Sequence, residues 1–114
     1  MCRVTDFCGV KSGKALDKLA ACGLHTAPAQ KVTPPIIEEC PVSLECRVTD
    51  SRLLGSHTMF LAEIVGIDVD ERYIDSKGKL NLQQCGLAAY AHGEYFALGR
   101  KCGDFGFSVR KKKR

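Results

Sequence analysis

His57 stands between a Gly55-Ser56 pair and the apolar run Met59 to Ile67, at the mouth of what reads as a buried strand. An imidazole placed there can offer a hydrogen bond to a ligand. The plainer reading is a strand-start histidine that satisfies a loop carbonyl. Glu63 interrupts the same run. A carboxylate in a covered strand is costly unless paired, so an ion pair or backbone contact is expected for it rather than general-base chemistry. Ser12, Gly13 and Lys14 form a small glycine-containing loop ahead of an expected helix. Such a loop can accept an anion, with Lys14 meeting a phosphate, or it can be a simple cap. Ser-Gly-Lys lacks the rest of a P-loop. Tyr90, Tyr95 and Phe96 offer ring faces for stacking, or else fill a core or subunit interface.

The seven cysteines form no C-x-x-C, and their odd number argues against a disulfide framework. His25, His57 and His92 lack the short paired spacing of zinc ligands, so no metal site is expected. Cys46 is expected to pack as a small hydrophobe. The net charge is +4, but Arg110 to Arg114 supply five positive charges; without them residues 1–109 carry −1. The tail is expected to be a solvated end rather than a nucleic-acid contact, because no aromatics interleave with its charges. No apolar run approaches the ~20 residues of a membrane span. No apolar leader is visible at Met1 to Lys14, which sets an expectation of a cytoplasmic protein without membrane contact.

The elements that position these groups follow from periodicity. Residues 2–10 read as extended, and residues 13–22 as a short helix capped by Ser12 and stopped at Gly23. All four prolines fall in 24–41, a connecting segment. Val42, Leu44, Cys46 and Val48 alternate with Ser43, Glu45, Arg47 and Thr49, the pattern of a strand with one buried face at about 42–50. A second strand at about 58–70 is apolar enough to be covered on both faces. Asp75-Ser76-Lys77-Gly78 signals a turn, and Leu80, Leu82 and Leu87 a short helical turn ending at Gly86. Cys-Arg-Val-Thr-Asp occurs at 2–6 and again at 46–50, read as two extended segments. The expected class is mainly β with short helices. Yet the chain offers few elements to cover so apolar a strand.

Asp6-Phe7-Cys8-Gly9, Ser12-Gly13 and Asp17-Lys18 follow one another in the order D-[FY]-C-G-x-x-S-G-x-x-x-D-K. Pro35-Ile36-Ile37-Glu38-Glu39-Cys40-Pro41-Val42-Ser43-Leu44-Glu45-Cys46 comes next. Gly55-Ser56-His57-Thr58-Met59-Phe60, Glu63-Ile64-Val65 and the stretch Tyr95 to Gly99 complete the series. Together they resemble the flavoredoxin-like flavin reductases, whose fold is an FMN-binding split barrel. The resemblance implies a homodimer with FMN at the subunit interface, and hydride or electron transfer between NAD(P)H and flavin. It makes His57 the candidate catalytic and flavin-facing residue, and Ser12, Lys14 and Cys8 candidate cofactor contacts.

The family's domain is longer than this chain, which matches its C-terminal part. The strands that hold the FMN phosphate have no counterpart. The expected organisation is therefore a partial split-barrel domain at 1–109, truncated on its N-terminal side, and a basic tail at 110–114. The expected function is that of a flavin reductase-like FMN-binding protein, inactive if the fragment cannot hold flavin. The alternative is a non-enzymatic half-barrel that serves as a dimerisation or interaction module.

Overall fold

The computed structural model describes residues 1–111; Lys112, Lys113 and Arg114, the end of the expected basic tail, lie outside the described residues. The chain is mainly β, with helices α1 (Cys2–Val10) and α2 (Lys18–Cys22) at its start. Six strands follow: β1 (Thr26–Ala27), β2 (Ile36–Ile37), β3 (Val42–Leu54), β4 (His57–Val69), β5 (Ala88–Ala91) and β6 (Glu94–Ala97). They pair as three separate two-stranded antiparallel ribbons, β1 with β2, β3 with β4 and β5 with β6.

Residues 2–10 are helical, not extended as their composition suggested. Val4, Phe7 and Cys8 are the half-buried positions of α1. That i, i+3, i+4 spacing is a helical stripe, so the period that governs the segment is 3.6 and not 2. The second helix is shorter than expected and begins at Lys18. Its cap is Asp17, whose carboxylate accepts from the Leu19 and Ala20 amides at 3.0 and 3.1 Å. Ser12 instead accepts from the Lys14 amide at 3.2 Å in a separate exposed turn. Gly23 ends α2 as expected, with φ 64°, and the Gly23 and Leu24 amides reach back to the Ala20 and Leu19 carbonyls.

The β3–β4 ribbon dominates the molecule. Leu54 pairs with His57 across Gly55-Ser56, and Val42 pairs with Val69 at the other end. Gly55 has φ 65°, which suits the first central position of a two-residue hairpin turn. Two register shifts, between Glu45 and Cys46 and between Val48 and Asp50, break the ladder. Each such bulge adds an unpaired residue, bends the ribbon and increases its twist.

One copy of the chain does not itself supply the expected cover for this ribbon. Leu44 and Val48 on β3, and Phe60, Leu61, Ile64 and Ile67 on β4, are all exposed. Cys46 and Glu63 are exposed too. The buried residue of β3 is Glu45, on the face expected to be wet, at 2% exposure. No apolar residue is buried among the described residues. A compact monomer of 12.5 kDa exposes roughly 6,200 Å², whereas this chain exposes 10088 Å². Its radius of gyration is 18.0 Å, against about 13 Å for a compact domain of this length. One copy of this chain is thus an open scaffold around a twisted arm.

Candidate functional site

The 13 residues of β4 reach roughly 40 Å at ~3.3 Å per residue, and His57 occupies the far tip. Its ring Nδ1 lies 2.8 Å from Ser56 Oγ. Nε2 makes no hydrogen bond among the described residues, so the imidazole keeps one nitrogen for an outside partner. The body lies at the other end. There Cys2 and Thr5 of α1, Val42, Leu87, Tyr90 and Tyr95 help line a cavity of about 390 Å³. Tyr90 and Tyr95 face each other across β5–β6, edge to face, with centroids 5.1 Å apart. Tyr95 Oη donates to Asp6 Oδ1 at 3.3 Å, which ties this hairpin to α1. Desolvation, then the Asp6 carboxylate, raise the Tyr95 pKa and keep the phenol protonated. Tyr95 therefore uses its hydroxyl on α1 and packs edge to face with Tyr90, which stays largely exposed.

Cys8, Ser12 and Lys14 sit in the α1–α2 segment. The Cys8 and Cys22 sulfurs approach to 4.0 Å, and the Lys18 ammonium donates to the Cys8 carbonyl. Ser12 and Lys14 lie in an exposed turn closed by the Ala15 amide on the Ser12 carbonyl at 3.1 Å. They are not at a helix N-terminus, because Asp17 has taken the free amides of α2. No contact joins His57 to Cys8, Ser12 or Lys14. The residues singled out in the sequence thus fall into two groups within one chain, a tip group and a body group.

The sequence reading missed the polar cluster that fastens the connecting segment to the arm. Glu45 Oε1 accepts from the Gln30 amide at 2.8 Å and Oε2 from the Lys31 amide at 2.5 Å. These backbone bonds outweigh desolvation and hold the Glu45 pKa below its ordinary value. Asp68 lies beside it, and its Oδ1 accepts from Gln30 Nε2 at 3.1 Å. Its Oδ2 is buried with no partner among the described residues. The neighbouring Glu45 carboxyl group, then burial, raise the Asp68 pKa, the usual outcome when two carboxyl groups share a site.

Gly66 opposes Glu45 in the ladder. A Cβ there would lie 3.1 Å from Lys31 Cγ and 3.4 Å from Glu45 Cβ and Cδ, so the clamp needs the missing side chain. The available sequence signal was a proline-rich segment with amides to satisfy, next to a strand with a carboxylate close to its start. Nearby, His25 Nδ1 meets Glu39 Oε1 at 2.5 Å, and this pairing raises the His25 pKa and lowers that of Glu39.

A flavin mononucleotide needs a donor at its ring edge and a cradle for its phosphate. His57 fits the first need, since its Nε2 is open and a polar neighbour fixes its Nδ1. The exposed turn at Ser12 and Lys14 does not fit the second: it offers one ammonium and no run of free amides. Among the described residues, one copy of this chain brings no phosphate cradle to His57.

The chain matches the flavin reductase like domain over residues 2–99. It is 32% identical over 101 residues to an uncharacterized protein of Pyrococcus abyssi, covering 89% of this chain and 57% of that one. Flavoredoxin of Desulfovibrio vulgaris (Miyazaki F) superposes with a TM-score of 0.83 at 27% identity, covering 95% of this chain and 58% of that one. A protein with a split barrel domain from Shewanella frigidimarina NCIMB 400 superposes with a TM-score of 0.69 at 20% identity. The match covers 90% of this chain and 52% of that one, and it carries the fold alone. The chain spans about half the length of the curated relatives it matches. No helix among the described residues is long and apolar enough to cross a membrane. With a domain match from Cys2 to Gly99 and a split-barrel likeness along the same span, the chain belongs to the flavin reductase like family.

Proposed function

We propose that the chain forms part of an FMN-binding split barrel that moves electrons or hydride between NAD(P)H and flavin. The observation that supports this most is the ordered motif series from Asp6 to Gly99 within a fold that follows flavoredoxin over 95% of the chain. Residues 1–109 are the barrel portion in this proposal, and residues 110–114 a solvated tail. Bound flavin supplies the redox chemistry; this chain supplies His57, which holds a hydrogen bond at the ring and positions the nicotinamide. A donor there stabilises the negative charge of reduced flavin. Ser12, Lys14 and Cys8 are assigned weaker contacts with the cofactor. The phosphate cradle and the cover for the β3–β4 arm come from a second copy or from further polypeptide, and a homodimer is the favoured assembly.

FMN fluorescence quenching tests the reading. Saturable quenching at micromolar flavin, lost or weakened in His57→Ala with unchanged circular dichroism, is the expected result. Absence of quenching together with a colourless purified protein rejects flavin binding. Quenching without NAD(P)H oxidation retains the electron-carrier reading and rejects the reductase. The exposed apolar side chains along the β3–β4 arm favour a second reading, a non-enzymatic interaction module built on the half-barrel. Self-association without flavin binding is its signature.

A further inference from the structure

Two of the seven thiols, Cys22 and the Cys8 already assigned a weaker cofactor contact, form a preassembled pair to which the flavin reading gives no chemistry. Cys8 sits in the last turn of α1 and Cys22 ends α2, and their sulfurs lie 4.0 Å apart. A disulfide bond is about 2.05 Å long, so a closing movement of ~2 Å, within reach of side-chain rotation at a helix end, is all that separates thiol contact from bond. Both side chains are half-buried, neither sealed from a small reagent nor free in solvent. The Lys18 ammonium donates to the Cys8 carbonyl and so ties the start of α2 to the last turn of α1, which holds the two sulfurs in register. The nearest alternative in sequence, Cys2 with Cys8, is blocked by α1 itself. Six residues of helix put them roughly 9 Å apart along the axis.

We infer that Cys8 and Cys22 form a dithiol–disulfide site that reacts with small-molecule disulfides. The Cys8 thiolate attacks one sulfur of the reagent, its S–S bond breaks, and one thiolate leaves. Cys22 then gives up its proton and attacks the Cys8 sulfur of the mixed disulfide, expelling the second thiolate. Two protein thiols are oxidised, one reagent disulfide is reduced to two thiols, and the two cysteine protons end on those thiols. Desolvation and the Cys8 neighbour raise the Cys22 pKa, which suits it to the second, resolving step. The closed loop, residues 8–22, encloses Ser12 and Lys14. This inference does not depend on flavin binding.

The test treats the 114-residue chain with oxidised glutathione, blocks residual thiols with N-ethylmaleimide and maps unreduced tryptic peptides. The expected product joins residues 4–11 to residues 19–31, at roughly tenfold or more over any other pairing, because these two sulfurs already lie in contact. Cys22→Ser should instead trap one glutathione on Cys8. In concentrated guanidinium the preference should vanish in favour of short loops such as Cys2 with Cys8. Equal yields of several pairings in the native chain would overturn the inference. So would glutathione persisting on Cys8 while Cys22 remains intact, or the same 8–22 preference in denaturant.

Discussion

Phe60 gives the sharpest quantitative handle on the exposed arm. It pairs with Ser51 near the outer part of β3–β4 and is 65% exposed in one copy. A phenylalanine buries roughly 200 Å² when fully covered. The part still open here is then about 130 Å², or about 3 kcal/mol at 25 cal/mol per Å². Alanine retains about a third of that, so Phe60→Ala removes about 2 kcal/mol per copy if a partner covers the site. In a two-fold assembly the loss is counted in both protomers, about 4 kcal/mol, because the same patch is used twice. At 1.4 kcal/mol per decade the dimer dissociation constant rises roughly a thousandfold. Sedimentation equilibrium over a micromolar range reads this directly. The surface available is ample: the excess over a compact monomer, about 3,900 Å², exceeds the standard interface of about 1,600 Å² counted over both partners. Lys77→Ala, in the exposed Asp75–Lys79 turn, should leave association unchanged. A wild-type chain that sediments as a monomer at all concentrations, with arm amides protected from exchange, refutes the reasoning. An unchanged dissociation constant in Phe60→Ala refutes it equally.

Other outcomes follow from the clamp and the ion pairs. Glu45→Ala should abolish hydrogen-exchange protection at the Gln30 and Lys31 amides, while Glu45→Gln, which keeps one acceptor oxygen, retains part of it. Because the Glu45 pKa is lowered on folding, its contribution is present above its unfolded value near 4.5. It is lost as pH falls through the folded value, so protection at those two amides should fade in acid. Asp68 has the opposite sign: its raised pKa makes it contribute below about 3.8, with the contribution fading as pH rises through the folded value. Asp68→Asn should therefore raise stability at neutral pH, read by urea titration. His25 should titrate by NMR above 6.5 and fall back toward it in Glu39→Gln; the stability it adds is present in acid and lost as pH rises through that midpoint. Gly66→Val should eject the Glu45 carboxylate from the connecting segment, costing about 1–3 kcal/mol as an overpacking substitution.

The pentapeptide Cys-Arg-Val-Thr-Asp shows why part of the fold was legible and part was not. At 46–50 it is strand and at 2–6 it is helix, with the same local preferences in both places. What differs is the neighbourhood. Phe7 and Cys8 extend Val4 into a helical stripe, while Arg47 and Val48 meet Glu63 and Ala62 across a ladder. The long hairpin, the Gly23 stop and the Asp75–Gly78 turn were readable because glycine, Asx chemistry and a 13-residue apolar pairing dominate locally. The buried carboxylate was misplaced because alternation sent Glu45 to solvent, while the apolar run around Glu63 sent that residue inside. Alternation records which face is apolar. It cannot say that a connecting segment will lay its amides on the polar face, or that the apolar face will stay open in one copy.

That inversion bears on the candidate site. A strand whose apolar face is bare and whose polar face is fastened down by Glu45 has its covered side chosen by hydrogen bonds, not by hydrophobic burial. The clamp at Gln30 and Lys31 holds the base of the arm, while bulges at Glu45/Cys46 and Val48/Asp50 set the bend beyond it. His57 rides at the end of this bent lever. A change at the base, such as loss of the Glu45 bonds, alters the angle at which the tip meets whatever covers it. Glu45 is therefore a positioning residue for His57 in the proposed flavin site. Glu45→Gln should shift flavin affinity with the His57 side chain untouched, whereas a purely local role would change Gln30 and Lys31 exchange and leave flavin affinity as it was.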